Sequence, residues 1–130
     1  MDKNKNDKKD LKIRAYFYAL DIIKFIDKLN SKDFIIGTIS KQLIRSTTSI
    51  GANIIEAQAA STKKDFANFF SYSLKSANES KFWLGLLRDS GKANKDNVNI
   101  LLKETNDLSN ILGASIVTLR KNIKKAKAIK

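Results

Sequence analysis

The sequence predicts an all-α protein, an antiparallel up-down four-helix bundle, and three observations carry that expectation. Four long stretches repeat apolar residues every three or four positions, the period of a helix face, with no strand-like alternation and no internal repeat. The chain has no Pro and only 5 Gly, all dispersed, so nothing interrupts those stretches. The breaks between them are short and rich in Ser, Asp, Thr, Asn and Gly, the residues that cap helices. At 130 residues the chain is one domain with room for a real core. It divides into a flexible polar lead-in over 1–9, the bundle over 10–125 and a basic tail over 126–130.

The first helix is expected from about Asp10 to Leu29. Ile13, Tyr16, Leu20 and Ile23 form one apolar stripe, and Leu11, Ala15, Tyr18, Ile22, Phe25 and Leu29 form another. A surface helix needs one such stripe, so the second places this helix deep in the bundle or against another subunit. Asn30 to Asp33 is a capped break, and a second helix follows to about Ala60. Thr62 with Asp65 three residues on has the form of a capping box and opens a third helix, Lys63 to Ser90. Its core stripe is Phe66, Phe69, Phe70, Ser73, Ala77, Leu84 and Leu87. Small residues thin its middle for close helix contact, and Gly91 stands where a left-handed cap is expected. The fourth helix, from about Asn94 to Lys125, carries a heptad of Val98, Leu101, Thr105, Leu108, Leu112, Ser115 and Leu119, flanked by Ile116 and Ile123.

The second helix holds the most distinctive stretch, Gln42 to Ala57. An apolar seam of Ile39, Leu43, Ser46, Ile50 and Ile54 runs beside a polar stripe of Gln42, Arg45, Ser49, Asn53 and Glu56. Those are directional hydrogen-bonding groups, and Gly51-Ala52 leave the backbone approachable beside them. The expectation is a helix buried on more than one side. Glu56 and Glu79 then share a structural polar network with Arg45, because a buried carboxylate needs a cation or several donors. Such a network fixes helix register or a subunit contact.

Chemistry is constrained by what is missing. With no Cys there are no disulfides, thiolate metal sites or thiol nucleophiles, and with no His the commonest general base and metal ligand is gone. The Glu-x-x-His pairs of di-metal bundles are therefore impossible, and two carboxylates are too few for a hard-metal cage. The isolated Gly37, Gly51, Gly85 and Gly113 lie within predicted helices and make no phosphate loop. Catalytic residues, metal and cofactor are each expected to be none, and the protein is read as not an enzyme. No apolar run approaches a bilayer span, and no signal-peptide core follows MDKNKNDKKD, so a cytoplasmic, non-membrane protein is expected.

The charge points to function. With 25 basic and 13 acidic residues the formal net charge is +12, which favours polyanions. Lys63 and Lys64 sit at a helix N-terminus, where cations oppose the dipole and suit a phosphate. Arg120, Lys121, Lys124, Lys125 and Lys127 form the densest cationic run, part of which complements a helix C-terminus. These seven are the candidate nucleic-acid contacts, giving affinity without sequence selection. No aromatic residue interleaves with the run, so base stacking is not indicated there.

Two blocks resemble a known family. Gln42-Leu43-Ile44-Arg45-Ser46 with Ser49-Ile50-Gly51-Ala52-Asn53-Ile54-Ile55-Glu56-Ala57 is similar to the signature of the 23S ribosomal RNA intervening-sequence proteins. Ser61 to Asp65, Phe66 to Phe70, Leu74 to Glu79 and Trp83-Leu84 fall where that family has its second block. The likeness spans roughly residues 11–120. Ala52 and Ala57 depart from the family's usual Pro and Gly, which leaves the fold unaffected. The resemblance implies a small bacterial protein forming a homopentamer of up-down bundles, with an RNA association. Related accessory proteins of diversity-generating retroelements share the pentamer and bind nucleic acid and a reverse transcriptase. The partners implied are thus further copies of the chain, nucleic acid with RNA favoured, and a reverse transcriptase or other nucleic-acid enzyme.

The expected function is a non-enzymatic, oligomeric bundle binding RNA or DNA through basic surface residues. The alternative is a protein-interaction scaffold whose charge only maintains solubility.

Overall fold

The computed structural model describes residues 10–129; the lead-in expected over 1–9 lies outside the described residues. Four helices account for nearly all of the described chain: α1 (Leu11–Asp27), α2 (Phe34–Gln58), α3 (Lys63–Asp89) and α4 (Lys95–Ile129). No strand occurs among the described residues.

Each start is set by a capping side chain. Asp10 Oδ1 accepts from the backbone N–H of Lys12 and Ile13, and Asp33 Oδ1 from those of Ile35 and Ile36. Thr62 Oγ1 accepts from the Asp65 N–H at 3.0 Å, and Asn94 Oδ1 from that of Asn97 at 2.9 Å. These bonds satisfy N–H groups that the first helical turn leaves without partners. After α3 the chain turns at Gly91, with φ +75°, and the N–H groups of Lys92 and Ala93 return to the Leu87 carbonyl. The left-handed cap expected there is formed.

Helices adjacent in sequence pack side by side, α1 on α2, α2 on α3 and α3 on α4, and α1 closes the circuit against α4. Tyr18, Ile22, Leu43, Ile50, Ile54, Leu84, Leu87, Val98, Leu108 and Leu112 are fully buried between them. Each such side chain contributes on the order of 1.5–3 kcal/mol of transfer free energy. At mid-height the core turns small and polar. Ser73 Oγ donates to the Ile50 carbonyl at 2.8 Å, Ser46 and Ser80 share a hydrogen bond of 2.8 Å, and Ala77 is fully buried. Small side chains let α2 and α3 approach closely, and each hydroxyl finds an acceptor, so the dip in apolar content leaves no polar group orphaned. On the other side of α2, Gly51 faces Ala15: a Cβ built on Gly51 would stand 3.5 Å from the Ala15 Cβ.

α1 and α4 are joined by specific bonds. Arg14 Nε and Nη2 grip both oxygens of Glu104 at 2.8 and 2.7 Å, and Nη2 also reaches Asp107 Oδ2 at 3.2 Å. One helical turn along, Tyr18 Oη lies 2.6 Å from Thr105 Oγ1 inside the core.

The structure departs from the sequence expectations in three places. The first concerns the polar stripe of α2. Each of its members precedes a core residue by one position, Gln42 before Leu43, Arg45 before Ser46, Ser49 before Ile50 and Asn53 before Ile54. One residue is about 100° of rotation, which turns the stripe onto the flank of the bundle. Arg45, Glu56 and Glu79 are exposed, and Gln42, Ser49 and Asn53 half-buried.

The expected ion pairing is also absent among the described residues. Arg45 donates to Gln42 Oε1 at 2.8 Å, and Glu79 accepts from Trp83 Nε1 at 2.9 Å. What forms instead is a short chain on the flank. Asn53 donates to the carbonyl and hydroxyl of Ser49, and Ser76 on α3 donates to Ser49 at 3.0 Å.

Of the two alternatives for α1, the helix is not buried on both stripes: Ala15, Tyr18 and Ile22 are buried, whereas Tyr16 and Ile23 of the other stripe are exposed. Third, α4 continues as helix to Ile129, through the segment expected as a tail. At about 1.5 Å per residue α4 is twice the length of α1, so it overshoots. Its full burial ends at Leu112, and Ser115, Ile116, Leu119 and Ile123 are half-buried against α3.

Candidate nucleic-acid interface

The overshoot builds the site. Because α3 starts where α4 ends, Lys63 and Lys64 come beside the last turns of α4. They line a cleft of about 200 Å³ together with Ile123, Ala126 and Lys127. Residues some sixty positions apart in the chain thus form one surface. Thr62 caps the Asp65 N–H at this terminus.

Arg120 extends the surface one step towards the core, with Nη2 donating to Ser71 Oγ on α3 at 3.1 Å. On a helix Arg120, Lys124 and Lys127 fall within an arc of about 60°, so they form a row along the α3 side. Lys121 and Lys125 lie about 100° further round. Both are exposed, as are Lys63, Lys64, Arg120, Lys124 and Lys127.

No acid follows Asp107 in the chain, so the last turns of α4 are purely cationic. Among the described residues the acids near this end are Asp10, which caps α1, with Glu56 and Asp65, both exposed. At the opposite end, where the α1–α2 and α3–α4 loops lie, Asp27, Asp33, Asp89 and Asp96 are interspersed with the lysines. The charge of the bundle is therefore polarised along its length.

Of the flank residues Gln42, Arg45, Ser49, Asn53, Glu56 and Glu79, only Glu56, in the last turn of α2, comes near the cationic end. They lie along the α2–α3 face, and the site of charge does not include them. Among the described residues no group of three or more Asp or Glu is placed to hold a metal ion, and no helix is long and apolar enough to cross a membrane. Two features were beyond sequence reading: the meeting of Lys63 and Lys64 with Lys127, and the Arg14 clamp. Both join residues distant in the chain, and only the relative helix lengths, which set the register of α4 on α3 and α1, could have signalled them.

Fold and site define a class, an up-down four-helix bundle with one cationic end. The chain belongs to the 23S rRNA-intervening sequence protein family, whose model matches residues 9–114. A crystal structure of a protein of unknown function from the S23 ribosomal protein family of Bacteroides thetaiotaomicron is similar. It shares 32% sequence identity at a TM-score of 0.76, over 82% of this chain and 98% of the other. No curated protein matches the chain. The family match ends at Ala114, before the cationic run begins, so the family relation describes the bundle and leaves the basic end of α4 to be read from its own residues.

Proposed function

We propose that this protein is a non-enzymatic, oligomeric bundle that binds RNA or DNA through phosphates at its cationic end. The observation that carries the reading is the convergence of Lys63 and Lys64 with Lys127 across one cleft, continued by Lys124 and Arg120. Cations on two helices, beside a helix N-terminus and free of neighbouring acids on α4, suit a phosphate backbone. Such contacts position a strand and do not read its bases. RNA is favoured because the family takes its name from an intervening sequence of 23S rRNA.

The proposal includes the homopentamer and an association with a reverse transcriptase or other nucleic-acid enzyme, both supported by the resemblance of the two signature blocks. The exposed second stripe of α1, with Tyr16 and Ile23, supports association of copies, since an unpartnered apolar stripe on a helix wants cover. A ring of five chains would multiply the +12 charge fivefold.

The test is binding of labelled RNA and DNA oligonucleotides across a salt series. Affinity should fall steeply and linearly in log–log form with salt, with little dependence on sequence. Changing Lys63, Lys64, Lys124 and Lys127 to Glu should abolish it while leaving the helical signal intact. Absence of binding by the unaltered protein at low ionic strength would sink the reading in favour of a protein-interaction scaffold.

A further inference from the structure

The opposite end of the molecule holds a cavity of about 500 Å³, between the last turns of α1 and the first turns of α4. Small-molecule sites fall in this size range and combine an apolar lining with a few placed polar groups. Here Phe25, Leu29, Ile36 and Leu101 supply apolar walls. Ile100 stands at the rim with 70% of its surface exposed, an apolar side chain that the fold leaves uncovered.

The polar groups are specific as well. Lys92 lines the cavity, but its ammonium is held by Asp33 Oδ2 at 2.8 Å, a contact that ties the two loops together and forms a wall. Lys24 and Lys28, one turn apart on α1, make no ion pair with any described residue. Like charges at that spacing repel mildly, and their place near the end of α1 offsets this in part through the helix dipole. Asp21 is the acid lining the same space. With Lys92 held by Asp33, Lys24 and Lys28 are the lining ammonium groups left to meet an anion.

We propose that this cavity binds a small amphipathic anion, a carboxylate carried on an aryl or acyl body. The body would cover Ile100 and rest on Phe25, Leu29 and Leu101, and the carboxylate would meet Lys24 and Lys28. The site is independent of the cationic end, which lies at the other end of α4.

Isothermal titration with 1-naphthaleneacetate, set against 2-(1-naphthyl)ethanol as its uncharged counterpart, tests the assignment. The acid should saturate one site per chain and bind at least about fivefold tighter than the alcohol, the scale of a partly exposed charge contact. The pair Lys24→Gln and Lys28→Gln should erase that preference without altering the thermal melt. Ile100→Asn should weaken both ligands. Lys63→Gln with Lys64→Gln, at the far end, should leave both unchanged. Equal binding of acid and alcohol, full binding by the Lys24 and Lys28 variant, loss on altering the far end, or no saturable binding would each overturn the proposal.

Discussion

Arg14 holds Glu104 by two parallel hydrogen bonds of 2.8 and 2.7 Å, across the seam where α1 meets α4. That geometry is specific to a planar guanidinium. The two side chains retain only 19% and 30% of their exposure, so solvent screens the pair incompletely. The hydrogen bonds that the guanidinium donates to Glu104 raise its pKa, outweighing the burial that lowers it. Arg14→Lys should cost about 1–2 kcal/mol in urea unfolding, because one ammonium cannot replace the fork. A lysine variant as stable as the parent would show that the fork adds nothing.

Tyr18 connects the same two helices to pH. The Thr105 hydroxyl donates to the Leu101 carbonyl at 2.7 Å, so it can only accept from Tyr18 at 2.6 Å. Burial pushes the phenol well above its ordinary value, against the opposing pull of the Thr105 and Ser80 hydroxyls. Above about pH 10 the unfolded chain therefore loses its phenolic proton first. Stability is fully present below that pH and is lost as pH rises towards the folded value. Tyr18→Phe should cost about 1 kcal/mol at neutral pH and flatten the alkaline decline in melting temperature. An unchanged alkaline slope would refute the coupling.

Asp33 produces the opposite dependence. The bond from Lys92 and the Ile36 N–H hold its carboxyl below the usual carboxylate range. The contribution is present above the unfolded value of about 3.9 and is lost as pH falls through the folded one. Asp33→Asn should lower the melting temperature at pH 7 and reduce its fall between pH 5 and pH 2.5, each within the range of about 2.5 to 7 where melts are routine. Parallel curves for the two proteins would count against it.

The glycines inside helices test exposed surfaces. A Cβ at Gly37, Gly85 or Gly113 meets nothing within 4 Å. Alanine at each should stabilise the monomer by about 0.5–1 kcal/mol through helix propensity. Gly51→Ala should be tolerated too, since 3.5 Å from Ala15 is ordinary contact, whereas Gly51→Leu should loosen α1 from α2. Destabilisation by Gly113→Ala, read by thermal melts, would mean that another molecule packs there.

At the cationic end, each lysine removed should lower the salt slope by about one unit. Lys127→Gln and Lys64→Gln should do so alike for any sequence of RNA. A change confined to one sequence would point to base reading instead.

Much of this architecture was legible in the chain. Asp33, Thr62 and Gly91 marked helix ends because capping is local chemistry, decided within four residues. The buried faces of α2 and α4 up to Leu112 followed from period alone. The flank position of Arg45 and Glu56 did not, because two stripes one residue apart have the same period and differ only in rotation. The end of α4 was misjudged since Lys and Ala favour helix while looking like a polar tail. Arg14 with Glu104, ninety positions apart, left no periodic trace at all.

The overshoot of α4 has a thermodynamic side. No described residue beyond Leu112 is fully buried, so their opening costs little and leaves Tyr18, Leu108 and the rest of the core undisturbed. Amide exchange should divide α4 near Gly113 into a slow half and a fast half. A polyanion that orders the fast half would then draw on local fraying alone, and the melting point of the bundle would scarcely register its arrival.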